Sequence, residues 1–296
     1  MIDFQKRPDD STRDAYRAQL CTEGSPVRVS EIGRTLLGRP IDMYSVGNGR
    51  RSFLYVGAHH GTEWLYSSLL YRFLFAVAEA AVTEQTRCGV RIPLLLSTCT
   101  LHVVPMLNAD GCRLVMTDAP TPPLAERQVR MSGGAGFLRW KANARGVDLN
   151  HNYAHAHAEY KRIETRLGIE AGGALYSGEY PESEPECAAL SGVLRAIGPS
   201  AVLSLHAGEG AVRFSPRESA AVRRCAERIA HLCAYTVAEA GDASDYGGLC
   251  DYAGEGLSLP SFALLAGDGQ DPPTEESLTY LYDRISAVLF RLPTLL

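Results

Sequence analysis

Short β-rich apolar runs alternate along this chain with segments of helical length and period, and this alternation constrains its fold more than any other feature. Val27 to Ile32, Arg39 to Val46, Ser52 to Ala58, Ile92 to Pro105, Ala201 to Leu205 and Ser261 to Leu265 read as strands. Thr12 to Leu20, Glu63 to Thr83, Glu182 to Ile197, Glu218 to Ala240 and Glu275 to Leu292 read as helices, with Pro185 in the first turn of the third. Thr117 to Arg145, rich in Pro, Gly and charge, reads as a long loop. Strands repeatedly followed by helices predict an α/β fold with a mostly parallel, mixed central sheet and helices on both faces. No repeat or linker divides the sequence, so residues 1–296 are expected to form one domain.

Composition narrows the function classes. A net charge of -5 and the absence of a long basic run argue against nucleic-acid binding, which needs a basic face. The apolar stretch around Leu65 to Val82 is interrupted by polar residues and reads as a buried or amphipathic helix, so no membrane span is expected. The first residues lack the apolar core of a signal peptide, and the eight cysteines form no CxxC pair. A cytoplasmic, reducing setting is the expectation.

In open α/β sheets, ligands gather at the carboxyl ends of strands. His60 follows the run Phe53–Val56, and His206 follows Val202–Leu205. Two distant histidines thus fall at equivalent places. Glu63 lies three residues after His60, a spacing that brings an imidazole and a carboxylate to one cation at a turn entering a helix. Zinc takes such nitrogen and oxygen ligands at about 2.0–2.2 Å, with three protein ligands in catalytic sites. An HxxE pair alone is weak, because chance supplies many. His151, His155 and His157 read as a polar face rather than a second metal site.

Several ordered motifs strengthen the pair. Ile32–Ile41 spans the Gly-containing turn between the first two strand-like runs, and Gly57-Ala58-His59-His60-Gly61-Thr62-Glu63-Trp64 carries the first two ligand candidates. Asn108-Ala109-Asp110-Gly111, Gly146-Val147-Asp148-Leu149-Asn150-His151-Asn152-Tyr153, Ser183-Glu184-Pro185-Glu186, Ser204-Leu205-His206 and Pro260-Ser261-Phe262 follow in order. Together they resemble the zinc carboxypeptidases, and most closely the bacterial branch acting on γ-D-glutamyl-diaminopimelate bonds of peptidoglycan peptides. The resemblance implies one zinc ion held by His60, Glu63 and His206, with Asp148 orienting a ligand histidine. It implies a small peptide as substrate.

The chain departs from that family's pattern at three points. The family's proton-moving glutamate falls on Leu265, leaving Glu209, Glu255 and Asp268 as possible substitutes, of which Glu209 is the favoured one. The Asn-Arg pair that holds a terminal carboxylate is here Asn150-His151, and the oxyanion-stabilising arginine aligns with Lys141, with Arg139 and Arg145 nearby. The substrate-side tyrosine falls near Ala243, with Tyr246 and Tyr252 close in sequence, and Tyr252 is the candidate. The expected function is zinc-dependent hydrolysis of small peptides. The alternative is a zinc-binding relative that holds peptides or small acidic ligands without cleaving them.

Overall fold

The computed structural model describes residues 2–215, 219–239, 246–267 and 274–296. Among them the strands are β1 (Val27–Arg34), β2 (Pro40–Val46), β3 (Arg51–Val56), β4 (Thr86–Arg87), β5 (Val90–Arg91), β6 (Cys99–Val104), β7 (Ala201–Ala207), β8 (Ala211–Phe214), β9 (Thr236–Glu239) and β10 (Ser261–Ala266). The helices are α1 (Asp10–Leu20), α2 (Trp64–Val82), α3 (Ile92–Thr98), α4 (Ala109–Thr117), α5 (Ala125–Met131), α6 (His157–Leu167), α7 (Pro185–Ile197), α8 (Ala220–Cys233), α9 (Leu249–Asp251) and α10 (Ser277–Leu295).

Eight strands form one mixed sheet in the order β1-β2-β6-β3-β7-β10-β8-β9, and β4 pairs with β5 in a separate hairpin. The centre is parallel: β6 with β3, β3 with β7, and β7 with β10. Antiparallel pairings join β1, β2 and β6 on one side and β10 to β8 on the other. This is the α/β architecture expected from the alternation of runs. Successive side chains of the central strands point to opposite faces. Phe53, Tyr55, Leu203, Leu205, Phe262 and Leu264 pack in one core with α2, α8 and α10, whereas Leu54, Val56 and Val202 pack in another with α7.

Four local expectations are corrected. Ile92 to Pro105 is not one strand: α3 occupies Ile92–Thr98 and only Cys99–Val104 is extended. Pro93 lies in the first turn of α3, where its missing N–H costs nothing, and the leucine run suits helix or strand alike. The stretch read as one helix to Ala240 ends at Cys233, where Ala234 takes a left-handed conformation (φ 52°) that turns the chain into β9. The expected loop Thr117 to Arg145 contains α5. Finally, Gly61–Val82 does reach membrane-spanning length and apolarity, with a mean hydropathy of 1.3. Within the fold it contributes the core helix α2, with Leu65, Leu69, Leu70, Phe73 and Leu74 fully buried.

Candidate metal centre

The carboxyl ends of β3 and β7, adjacent parallel strands, carry the two histidines to one place. After β3 the chain turns through Ala58 (φ 54°), and His60 caps a short helical turn, Gly61–Glu63, that leads into α2. The turn is closed by the Glu63 carboxylate, which accepts the His60 backbone N–H at 3.2 Å. Gly61 is required there, because a Cβ would stand 2.5 Å from the Trp140 carbonyl oxygen. Its N–H donates to the Lys141 carbonyl at 2.8 Å, tying the ligand loop to the segment that carries Lys141. Asn108 holds the loop from beneath, donating to the His59 carbonyl at 2.9 Å and accepting from the Gly111 N–H at 2.9 Å. His206 lies within β7 rather than after it, so strand register, not a loop, fixes its ring.

His60, Glu63 and His206 each present a ligand atom, all within 4.8 Å of one another. Glu63 Oε1 is 2.9 Å from His60 Nδ1, and Oε2 is 3.3 Å from His206 Nδ1. Glu63 Oε1 also accepts the Ala207 N–H at 3.0 Å, which locks the carboxylate between the imidazoles. Asp148 stands on the far side of His60, with Oδ1 3.3 Å from Nε2. Asp148 is itself held by N–H groups of Asn150 and Leu175, each at 3.1 Å. A carboxylate on the outer nitrogen fixes the tautomer and leaves Nδ1 to face the cation.

The charges follow from this packing. Burial opposes charge on His60, but Glu63 and Asp148 outweigh it and raise the imidazole to about 10. Burial would raise Glu63, yet the two histidines hold it well below the usual carboxylate range. His59, next in sequence, is the opposite case. It is fully buried, bonded through Nε2 to the Tyr153 hydroxyl at 3.0 Å, and pushed well below the usual histidine range by burial and by its two histidine neighbours. The three converging donors, two nitrogens and one carboxylate with a second carboxylate behind, are a set that zinc accepts.

A cavity of about 200 Å³ opens beside these residues. Lys141, Asn150 and His151 line it, as the sequence led us to expect, and so does Leu265. Leu265 pairs in register with His206, and Ala263 with Ser204, so all four side chains face the cavity from neighbouring strands. The leucine therefore stands beside the three converging donors.

Three other candidates lie elsewhere. Arg145 turns away to Glu184, at 3.0 Å, and lines a separate cavity with Tyr176 and Tyr180. The pull is electrostatic, because Glu184 is almost fully buried and needs a cation. Glu209 is exposed on the turn after β7, where Gly208 packs against Leu265, and does not reach the cavity. Tyr252 is buried, stacks on Tyr153 at 5.5 Å and bonds through its hydroxyl to Arg195, on the α7 side of the sheet. Ala243 and Asp268 lie outside the described residues. His151, His155 and His157 do not converge: they bond to the Tyr246 carbonyl, the Glu255 carboxylate and the Ser177 carbonyl respectively. Arg213 and Asp251, which do line the cavity, were not singled out in the sequence. The signal for Arg213 was its alternation with Val212 and Phe214 on a strand of unknown partner.

The model of the family described as zinc carboxypeptidase matches residues 16–256. The chain belongs to the zinc carboxypeptidase family. The match stops before β10, the strand on which Leu265 lies. The chain is 28% identical over 246 residues to γ-D-glutamyl-L-diamino acid endopeptidase 1 of Lysinibacillus sphaericus, covering 81% of this chain and 61% of the relative. It is 29% identical over 187 residues to murein peptide amidase A of Escherichia coli K12, covering 61% and 60%. The chain thus spans about three fifths of the length of these two relatives. Among solved structures, bovine thrombin-activatable fibrinolysis inhibitor matches with a TM-score of 0.73 at 18% identity, over 98% of this chain and 97% of that one. At that identity the likeness concerns the fold alone.

Proposed function

We propose that this chain binds one zinc ion at His60, Glu63 and His206 and hydrolyses an amide bond of small peptides, of the γ-D-glutamyl-diamino acid class. The observation that carries the proposal is the convergence of three donors on a cavity lined by polar groups, in a chain of this family. When bound, zinc supplies Lewis-acid chemistry, polarising an amide carbonyl and making water acidic enough to attack near neutral pH. Lys141 brings a positive charge to the cavity wall, where it can balance charge developing on a carbonyl oxygen. Asn150, whose side-chain oxygen accepts the Leu249 N–H at 3.2 Å, keeps its amide nitrogen for a substrate carbonyl or carboxylate. Asp148 keeps His60 oriented throughout.

Leu265 favours a second reading, in which the peptide is held and not cut. A leucine cannot carry a proton from water to the departing amine, and a positioned acid/base is worth about 10²–10⁴ in rate. One experiment separates the two. The zinc-loaded protein is incubated with a γ-D-glutamyl-diaminopimelate peptide, and the freed amine is measured. Release that a chelator stops and zinc restores supports hydrolysis. Saturable binding with the peptide recovered intact supports the holding role and overturns hydrolysis.

A further inference from the structure

The other end of the sheet carries a second concentration of polar groups. The carboxyl end of α10 lies beside the start of β3, where Arg51 donates to the carbonyls of Pro293 and Leu296 at 3.4 and 3.1 Å. From there β3 runs six residues to Val56, about 17 Å at the usual rise per residue, before the chain turns to the metal ligands. A groove of about 670 Å³ lies between α8 and this end of α10.

Helical spacing builds the groove. Arg224, Arg228 and His231 recur at intervals of four and three residues, so they share one face of α8. Arg291 and Leu295 stand one turn apart on α10 and line the opposite wall. Arg228 stitches the two helices together, donating to the Leu295 carbonyl at 3.2 Å. Leu232 and Leu295 give the walls an apolar part. Three guanidiniums thus share the groove with one carboxylate, Glu227, in a chain whose net charge is -5.

Helix capping does not account for all of these cations. The carbonyls at the end of α10 are already met by Arg51 and Arg228. Arg224 sits in the second turn of α8, away from the carboxyl end where the helix dipole favours a cation. Among the described residues, the side chains of Arg224 and Arg291 make no hydrogen bond or ion pair, although Glu227 lines the same groove. Two guanidinium forks are therefore open. Such forks match the oxygens of phosphate through parallel hydrogen bonds, and one phosphate has oxygens enough to meet arginines from two helices. The groove is larger than a phosphate group needs, and its leucines suit an apolar body attached to that group.

We propose that the groove between α8 and α10 binds a soluble phosphate monoester, with Arg224 and Arg291 holding the phosphate and Leu232 and Leu295 bearing on the body of the ligand. The site is separate from the metal centre and stands or falls independently of the peptide reading.

The test is calorimetric, with phenyl phosphate as the probe and benzyl alcohol as its uncharged counterpart. Zinc-loaded wild type, Arg224→Gln, Arg291→Gln and Arg224→Lys are titrated at an ionic strength of about 0.15 M, where surface charges are screened beyond about 8 Å. The wild type is expected to bind one phenyl phosphate per chain and no benzyl alcohol. Each glutamine variant should weaken the phosphate by about 10-fold, the lower end for charge-assisted hydrogen bonds. Arg224→Lys should lose less, because it keeps the charge and gives up the fork. Zinc content and melting temperature should be equal in all four proteins, since neither arginine has an internal partner to lose. Absence of saturable phosphate binding overturns the site. So does binding that both glutamine variants keep in full, which would put the phosphate elsewhere on the protein. Capture by phosphatidylglycerol vesicles that both variants abolish, without binding of phenyl phosphate, would overturn the soluble ligand in favour of a lipid headgroup.

Discussion

The two ends of this cavity are built in different ways. At the end formed by β3 and β7, the donors, the carboxylate behind His60 and the hydrogen bonds that aim them are all in place. At the end formed by β10 and β8, a leucine stands beside His206 and an arginine arrives from β8. The difference teaches that a cluster of converging donors and the side chain beside it are fixed by separate parts of one sheet. The first depends on loops stitched by Gly61, Asn108 and Asp148, which respond to any error by losing a buried charge or hydrogen bond. The second is one side chain on a strand, whose identity the backbone ladder does not dictate.

The largest effect expected from breaking this contrast is at Leu265. Its half-buried side chain faces the cavity in register with His206, so Leu265→Glu puts a carboxylate where a proton can be moved. Peptide turnover should rise by about 10²–10⁴-fold, measured as amine release under zinc saturation. Unchanged turnover would mean that the two ends do not differ in the way described.

A smaller effect is expected at the intact end. Asp148→Ala removes the group that orients His60, and zinc affinity should fall by about 10–100-fold in a competition titration with a chelator. An affinity equal to that of the wild type would detach Asp148 from the centre.

The smallest effect concerns the scaffold shared by both ends. Glu186, in the first turn of α7, is fully buried, and its Oε2 has no hydrogen-bond partner. Burial, with Asp110 and Glu184 nearby, raises its carboxyl to about 8. A folded value above the unfolded one means that the native state binds the extra proton. The stabilisation is therefore full below the ordinary value of 4.5 and is lost as pH climbs to about 8. Glu186→Gln should flatten that decline, raising the melting temperature by a few degrees at pH 8, at about 2–4 °C per kcal/mol. Equal pH profiles for the two proteins would place the pH response elsewhere.

The metal end was the more legible part of the sequence. His60 and Glu63 are neighbours along the chain, and His206 closes an apolar run, so local pattern and strand-end logic suffice to pair them. Lys141, Asn150 and His151 also reach the cavity. Arg145 was misplaced because the deciding partner, buried Glu184, lies 39 residues away. Glu209 was misplaced because spacing from His206 says nothing about which way the chain turns after β7. Tyr252 was drawn into the second core by Tyr153 and Arg195. Arg213 and Asp251 were missed for a related reason: β8 reaches β10 only through long-range register, and Asp251 sits on α9, which long-range packing brings against β7, β8 and β10. The same limit explains α3, where Pro93 was the local sign of a helix inside a run of leucines that fits either state.

The most direct test of the central claim is a crystal structure of the zinc-loaded protein with anomalous data at the zinc edge, beside elemental analysis of the same sample. The account predicts one zinc per chain, coordinated by Nδ1 of His60, the Glu63 carboxylate and Nδ1 of His206, with Asp148 on the outer nitrogen of His60. A protein that takes up no zinc, or an anomalous peak away from these three side chains, would contradict it.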